Sequence, residues 1–276
     1  MPPELPSFDL VVATVGRTGE LERLLRSLEA QTHRDLRLLV VDQNPDDRLD
    51  PVLAGTELEV LRLRSEPGLS RARNAALPHA RADVVGFPDD DCAYPADLLE
   101  RVASRLAGAS GPDGVTGRAA DSSGRSSASW RSDAAVLTET NLWNRAISFT
   151  IFLRREVVEQ VGPFDERLGL GSPEPWASGE EIDYLVRAVR GGARIEYDPS
   201  LVVRHDVGAD GSEVGFRDGA SVGYLLRKHG YPLRTRGRML VRPLGGALVS
   251  IGRGDGGRAR YYAATLRGRI RGLRAR

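Results

Sequence analysis

The sequence has one cysteine, Cys92, which excludes an intrachain disulfide and any zinc site built from paired thiolates. A reducing compartment is the simplest fit. Lysine is equally scarce, Lys228 being the only one, so a Walker-type phosphate loop, which needs a lysine early in the chain, is excluded. The first apolar run is followed by Thr14-Val15-Gly16-Arg17-Thr18-Gly19 and not by Gly-x-Gly-x-x-Gly, which argues against a dinucleotide-binding Rossmann domain. Long apolar runs are missing too. The longest in the C-terminal part, Leu244 to Ile251, falls well short of the roughly 18 residues that a spanning helix needs. The N-terminus, Met1 to Pro6, has neither a basic n-region nor an apolar h-region, so no signal peptide is expected. The expected location is the cytoplasm, with peripheral attachment to the inner face of the cell membrane as an option.

What is present is a globular chain of 276 residues, 41% hydrophobic, with a formal net charge of +1. That balance conceals a split. Residues 227–276 carry 14 Lys or Arg and one acid, leaving 25 bases and 37 acids in residues 1–226. The basic tail points to an anionic partner such as a membrane surface, a polyphosphate or a nucleic acid. Within it Tyr262, Leu266, Ile270 and Leu273 fall on one side of a helix, beside Arg260, Arg267, Arg271 and Arg274. This pattern suits a basic amphipathic helix resting on an anionic membrane, with packing against the domain or another subunit as the alternative. Specific nucleic-acid binding is not expected, because the tail has few aromatics and no recognised motif.

Apolar periodicity predicts alternating strands and helices. Residues 8–15 read as a strand buried on both faces, Leu21, Leu24, Leu25 and Leu28 as the apolar face of a helix, and Leu36 to Val41 as a second strand ending at Asp42. Leu58 to Leu63, a short helix over Ser70 to Leu77, and a strand over Ala82 to Phe87 repeat the unit, and a further helix is expected from Pro95. Such alternation implies a mostly parallel, doubly wound sheet whose ligands bind beyond the carboxyl ends of the strands. The Ser-, Gly- and Ala-rich stretch from Ala109 to Ser129 reads as a flexible connection. Beyond it come a strand over Ile147 to Leu153, a helix over Arg154 to Val161, a helix from Glu180 to about Arg190, and strand-like runs at Arg194–Tyr197 and Leu201–Arg204.

The most informative segment is Asp89-Asp90-Asp91, directly after the apolar run Val84-Val85-Gly86-Phe87-Pro88. Adjacent carboxylates raise one another's pKa and oppose ionisation; a divalent cation bridging to a phosphate removes that penalty. A polar loop before the next helix is the plainer alternative. Asp42 lies at a neighbouring strand end, so two acidic loops converge on the ligand-binding edge.

Read in order, Val40-Val41-Asp42, Gly68-Leu69-Ser70-Arg71-Ala72-Arg73-Asn74, Asp89-Asp90-Asp91, Val161-Gly162-Pro163-Phe164-Asp165-Glu166, Ser178-Gly179-Glu180-Glu181-Ile182-Asp183 and His205 resemble the family 2 glycosyltransferases, inverting nucleotide-sugar enzymes. The resemblance covers roughly residues 8–206. It implies a GT-A type α/β/α sandwich with a mostly parallel Rossmann-like sheet. The implied divisions are a nucleotide-sugar-binding half (1–120), an acceptor half (121–226) and a basic helical C-terminal tail (227–276).

The implied activity is transfer of a sugar from a nucleoside diphosphate to a hydroxyl of a glycan or lipid-linked acceptor, in cell-surface polysaccharide or glycolipid synthesis. Mn2+ or Mg2+ is the implied cofactor, with Asp91, Asp89 and His205 as its ligands. Thr14, Arg17, Asp42, Gly68, Arg73, Asn74, Asp89 and Asp90 are implied to hold the donor. Asp42 as acceptor of a base N–H favours UDP or dTDP and permits GDP. Arg17 and Arg73 can pair with phosphate or fix the carboxylates, a surface salt bridge being the alternative for each.

The family position for the general base usually holds Asp and here holds Glu181. Three alternatives compete with it. Ser178-x-x-Glu181 fits a capping box. Asp183 or Glu180 could be the base instead, and Asp183 could also simply pair with Arg187 one turn on. Glu180 and Asp183 are expected on the polar side of the helix, Ile182, Val186 and Val189 on its core side. Trp176 and Glu180 are candidate acceptor contacts, the indole stacking on a sugar or anchoring its loop. Cys92 beside the carboxylates reads as packing. A nucleotidyltransferase is the nearest rival enzyme, and a non-catalytic protein binding nucleic acid or membrane through its Arg-rich tail is a rival of another class.

Overall fold

A computed structural model describes residues 5–108, 110–127, 129–206 and 211–275. The expectations that rest on residues 1–4 and on position 109 therefore fall outside the described residues. In chain order the elements are β1 (Phe8–Thr14), α1 (Thr18–Glu29), β2 (Leu36–Asp42), α2 (Asp50–Ala54), β3 (Glu59–Arg64), α3 (Leu69–Ala76), β4 (Val84–Gly86), α4 (Leu98–Leu106), β5 (Gly114–Ala120), β6 (Ala135–Val136), β7 (Ile151–Arg154), α5 (Arg155–Val161), α6 (Glu180–Arg190), β8 (Ile195–Arg204), α7 (Ser212–Lys228), α8 (Leu233–Gly252) and α9 (Gly256–Leu273). The strands form one sheet in the order β3-β2-β1-β4-β7-β5-β8-β6. Pairs β1–β2, β1–β4, β2–β3 and β5–β8 are parallel, whereas β7 and β6 run antiparallel to their neighbours. Two units divide the chain. Residues 1–67, 71–164 and 184–207 make the first, which holds the sheet; 68–70, 165–183 and 208–276 make the second, which holds α7, α8 and α9.

The first unit is built as its sequence pattern requires. Phe8, Leu10 and Val12 of β1 pack in one core with Leu21, Leu24, Leu25 and Leu28 of α1 and with Leu98, Leu99, Val102 and Leu106 of α4. The intervening Val11, Leu39, Val41 and Val85 are buried as well, so this part of the sheet is covered on both faces. Each fully buried Leu or Val contributes roughly 1.5–3 kcal/mol relative to an exposed one. Register is pinned at the base of the sheet by Asp9, fully buried, whose carboxylate accepts from its cross-strand partner Arg37 at 2.8 and 2.9 Å and from the N–H groups of Arg81 and Ala82.

The Gly/Ala-rich stretch expected to be a flexible connection contains β5, which pairs with β7 on one side and β8 on the other. Its small residues mark close approach: a Cβ on Gly117 would sit 2.2 Å from the Leu201 carbonyl oxygen. The two strand-like runs near the C-terminal end of the sheet are one strand, β8, with a register shift against β5 between Thr116 and Arg118. Pro199 interrupts the ladder there. Pro95 lies a turn ahead of α4, its carbonyl accepting the Leu98 N–H at 3.0 Å.

In the second unit α7 runs across the expected boundary at 226/227. The buried face of α9 is Ala264, Thr265, Gly268 and Gly272, while Ile270 of the expected apolar stripe is exposed. α7 supplies the matching groove at Gly215, Gly219 and Gly223, so the two backbones meet without side chains between them. A Cβ on Gly268 would lie 2.1 Å from the Phe216 carbonyl oxygen, and one on Gly219 2.3 Å from that of Thr265. Gly268→Val is expected to lower stability by about 3 kcal/mol through forced separation of the helices. Gly237→Ala in α8, where a Cβ meets nothing within 4 Å, should be neutral or stabilising by at most about 1 kcal/mol. Thermal unfolding of both variants checks the contrast.

Candidate functional site

The acidic triplet follows β4 at the carboxyl edge of the sheet. Each carboxylate meets at least one basic side chain. Asp89 accepts from Ser148 Oγ at 3.1 Å and lies 3.4 Å from Arg73 Nη2. Asp90 and Asp91 share Arg17 Nη1, at 3.0 and 2.5 Å. Asp91 also meets His205 Nε2 at 3.0 Å. His205 follows the end of β8 and stacks on Phe149, ring centroids 4.7 Å apart. One donor atom from each of Asp89, Asp91 and His205 lies within 4.8 Å of the others, the spacing of a shared cation.

The charges are tuned by these contacts. The hydrogen bond from His205 holds the Asp91 carboxyl below the usual range despite partial burial. Burial pulls the His205 imidazolium down, but the Asp91 bond and charge outweigh it and its pKa is raised. Burial pushes Asp90 up, with Thr14 and Arg17 opposing. Asp91 and His205 open into a pocket of about 450 Å³ whose wall also carries Arg17, Arg23 and Arg204. Cys92 is buried in the main core, and burial raises its thiol well above the ordinary value, so it is inert packing.

Arg73 is no surface residue. It is 1% exposed, with its guanidinium over the rings of Phe87 and Phe164 at 5.8 and 5.5 Å. It fixes Asp89 from behind. Asn74 donates to the Phe164 carbonyl at 3.0 Å and accepts the Phe164 N–H at 2.7 Å, which clamps the Gly-Pro-Phe-Asp turn. Asp42 is fully buried and both of its oxygens are engaged. Oδ1 accepts from the Asn44 N–H and Nδ2, and Oδ2 from Arg62 Nε and Nη2, with Arg64 Nη1 3.1 Å away. Burial would raise its pKa, but Asn44 and Arg62 hold it low. In this arrangement Asp42 has no open acceptor for a base N–H. It positions Asn44, whose Oδ1 accepts the Gly16 N–H at 2.6 Å and so shapes the loop that carries Arg17. Gly68, at φ +138°, belongs to the second unit.

The acidic helix α6 begins in that second unit. Ser178 Oγ donates to Asp218 at 3.0 Å and lies 2.8 Å from Ser221 Oγ, both on α7, while the Ser178 N–H that Glu181 would accept in a capping box goes to the Trp176 carbonyl at 2.8 Å. Glu181 is half-buried in the first turn. Glu180 and Asp183, expected on the polar side, are buried at 5% and 0% exposure. The reason is a non-local ion cluster: Asp183 Oδ1 meets Lys228 Nζ at 2.6 Å and His229 Nε2 at 2.8 Å, and Lys228 also meets Asp165 at 2.8 Å. Asp165 in turn pairs with Arg167 at 3.0 Å. Burial opposes its ionisation, but Arg167 and Lys228 hold its carboxyl well below the usual range. Arg187 donates to the carbonyls of Val161 and Pro163. Trp176 is buried and stacked on Tyr224, ring centroids 4.7 Å apart, so one indole face is already covered and it is not an exposed loop anchor.

Sequence reasoning missed Asn44, Ser148 and Phe149. Asn44, two residues after a strand-end Asp, carried a usable signal as an Asx-type partner; Ser148 and Phe149 sit in an apolar run with none.

An open sheet with acidic loops at its carboxyl edge, and an Asp-Asp-His cluster at the end of β4 and β8, is the arrangement of GT-A proteins. The chain belongs to glycosyl transferase family 2, whose model matches residues 9–162. It is 29% identical to a pre-mycofactocin glycosyltransferase of Mycobacterium tuberculosis over 97% of its own length, and spans 58% of that relative. Its fold is similar to that of a mannosyltransferase from Pyrobaculum calidifontis in complex with GDP-Man and Mn2+, at a TM-score of 0.68, 17% identity and coverage of 98% of this chain and 88% of the other. The fold of S. aureus TarS in complex with UDP matches at a TM-score of 0.58 and 18% identity, covering 94% of this chain and 90% of that one.

Removing Asp183 leaves the buried His229 ring without that partner and Lys228 with Asp165 alone. Asp183→Ala should therefore cost about 1–3 kcal/mol in chemical denaturation, whereas Glu181→Gln, isosteric at a half-buried position, should cost less than about 1 kcal/mol.

Proposed function

We propose that the chain is a metal-dependent, inverting glycosyltransferase that moves a sugar from a nucleoside diphosphate to a hydroxyl of a glycan or lipid-linked acceptor, in polysaccharide or glycolipid synthesis. The observation that carries this reading is the juxtaposition of Asp89, Asp91 and His205 within 4.8 Å, beside a pocket lined by Arg17, Arg23 and Arg204 together with Glu20 and Asp206. Two carboxylates and an imidazole fit Mn2+, and Mg2+ less well because of the nitrogen ligand. Bound there, the cation would neutralise the charge that gathers on the departing diphosphate.

The protein's own groups do the rest. Arg17, half-exposed and bonded to Asp90 and Asp91, would be within reach of diphosphate oxygens beside a cation held by Asp89, Asp91 and His205. Arg73 stays in place and holds Asp89 at the rotamer that ligation needs. Asn44, held by Asp42, orders the loop from Thr14 to Arg17 around the donor. Inversion by a single displacement requires one base to take the acceptor's proton. Glu181 fits that role as the half-buried carboxylate of the first turn, whereas Asp183 is fully buried with Lys228 and His229 on its Oδ1.

The test is a thermal-shift panel of UDP, dTDP, GDP and their sugars, with and without Mn2+. Stabilisation by one of them that depends on Mn2+ is expected; none by any would overturn the reading. Asp91→Ala should abolish the Mn2+-dependent part. Glu181→Gln should keep donor binding and lower turnover by about 10²–10⁴-fold, and normal turnover in that variant would move the base elsewhere.

A further inference from the structure

The tail expected to present an amphipathic face on α9 presents it on α8. Leu233, Val241, Leu244, Leu248 and Ile251 are 46–81% exposed, and the last four, spaced three, four and three residues apart, form one stripe. Arg234, Arg238 and Arg242, all exposed, run along one edge of that stripe. The opposite face of the helix is fixed inward. Pro243 and Ser250 are buried, and Gly246 lies so close to α9 that a Cβ there would meet the Tyr262 ring at 2.8 Å. Pro243 also deprives the Met239 carbonyl of its helical donor, and Arg269 of α9 donates to that carbonyl instead. Burial and the nearby Arg242 pull the Arg269 pKa down to about 10, so it stays charged at neutral pH. Locked by α9 on one side, α8 cannot roll to hide its apolar stripe.

We infer that α8 is an in-plane docking helix for an anionic lipid bilayer, with Val241, Leu244, Leu248 and Ile251 entering the headgroup boundary and Arg234, Arg238 and Arg242 pairing with lipid phosphates. Charge decides the occupant. Residues 227–276 hold 14 bases and one acid, and that acid, Asp255, is already capping α9 by accepting the Arg258 N–H at 2.9 Å. A second copy of the same face would bring arginine against arginine. A nucleic acid would leave the apolar stripe in water. Among the described residues no helix is long and apolar enough to cross a membrane, and an apolar stripe with a basic edge is the composition of helices that lie flat at the interface. The inference rests on the second unit alone and stands independently of the transferase reading.

The test is co-sedimentation of the full chain with phosphatidylcholine vesicles with and without phosphatidylglycerol. Binding only to the phosphatidylglycerol vesicles is expected, weakening as salt is raised. Leu244→Asp/Leu248→Asp should reduce it at least about tenfold, with thermal unfolding unchanged because both side chains are exposed. Arg234→Gln/Arg238→Gln/Arg242→Gln should erase the preference for anionic vesicles. Absence of wild-type binding to anionic vesicles, or undiminished binding by the double Asp variant, overturns the inference. So does a dimer that the same variant dissolves, or duplex DNA binding, in a chain that ignores vesicles. Mn2+-dependent nucleotide stabilisation, read on the same preparations, reports separately on the transferase reading.

Discussion

Three consecutive carboxylates repel one another when ionised, and the first unit brings positive charge to them. Arg17 arrives from the loop after β1, Arg73 from α3 and His205 from the end of β8, three segments well apart in the sequence. Only a sheet that places β1 beside β4 and ends β8 near the same edge can deliver all three. The strand order and the site are thus two descriptions of one constraint. Asp89 is set rigidly by buried Arg73, while Asp90 and Asp91 rely on a half-exposed arginine. The cluster combines one carboxylate held by a buried cation with two held by an exposed one.

The same logic recurs in the second unit with the opposite outcome. Asp183 and His229 form the buried centre of a cluster that reaches through Lys228 and Asp165 to the exposed Arg167. Such a network contributes little net stability over an apolar core, but its members cannot be removed singly. It ties the first turn of α6 to the end of α7, and it accounts for an acidic helix whose most conspicuous carboxylate is not on its surface. Glu181, two residues before Asp183 and so on roughly the opposite side of the helix, is half-buried.

Much of this was legible in the sequence where the signal was local. Apolar runs located β1 to β4 and α1, and strand ends carrying Asp42 and Asp89–Asp91 located the ligand edge, because a parallel sheet buries its strands continuously and leaves polar residues only at their tips. β5 was illegible because Gly114, Gly117 and Ala119 are small for packing reasons, and composition alone cannot separate a crowded strand from a loose loop. Asp42 shows the limit for single residues: its position at the strand end was correct, but its partners Arg62 and Arg64 come from β3, and only the folded register reveals that its oxygens are taken. The partners of Asp183 lie over forty residues downstream, beyond any helical-wheel argument. On α9 a plausible amphipathic stripe concealed a seam of small residues, since both periodicities coexist on one helix.

That seam also sets how the gene for this chain can vary. A glycine codon changed at any one base, if it still encodes an amino acid and is not silent, encodes a residue with a Cβ. At Gly219, Gly223, Gly268 and Gly272 a Cβ would fall 2.0–2.3 Å from a backbone oxygen of the facing helix. Every single-step missense change at these four codons therefore meets main chain and not a movable side chain. The helix pair has no neutral neighbours in sequence space at these points, and compensation would have to come from refitting both helices at once.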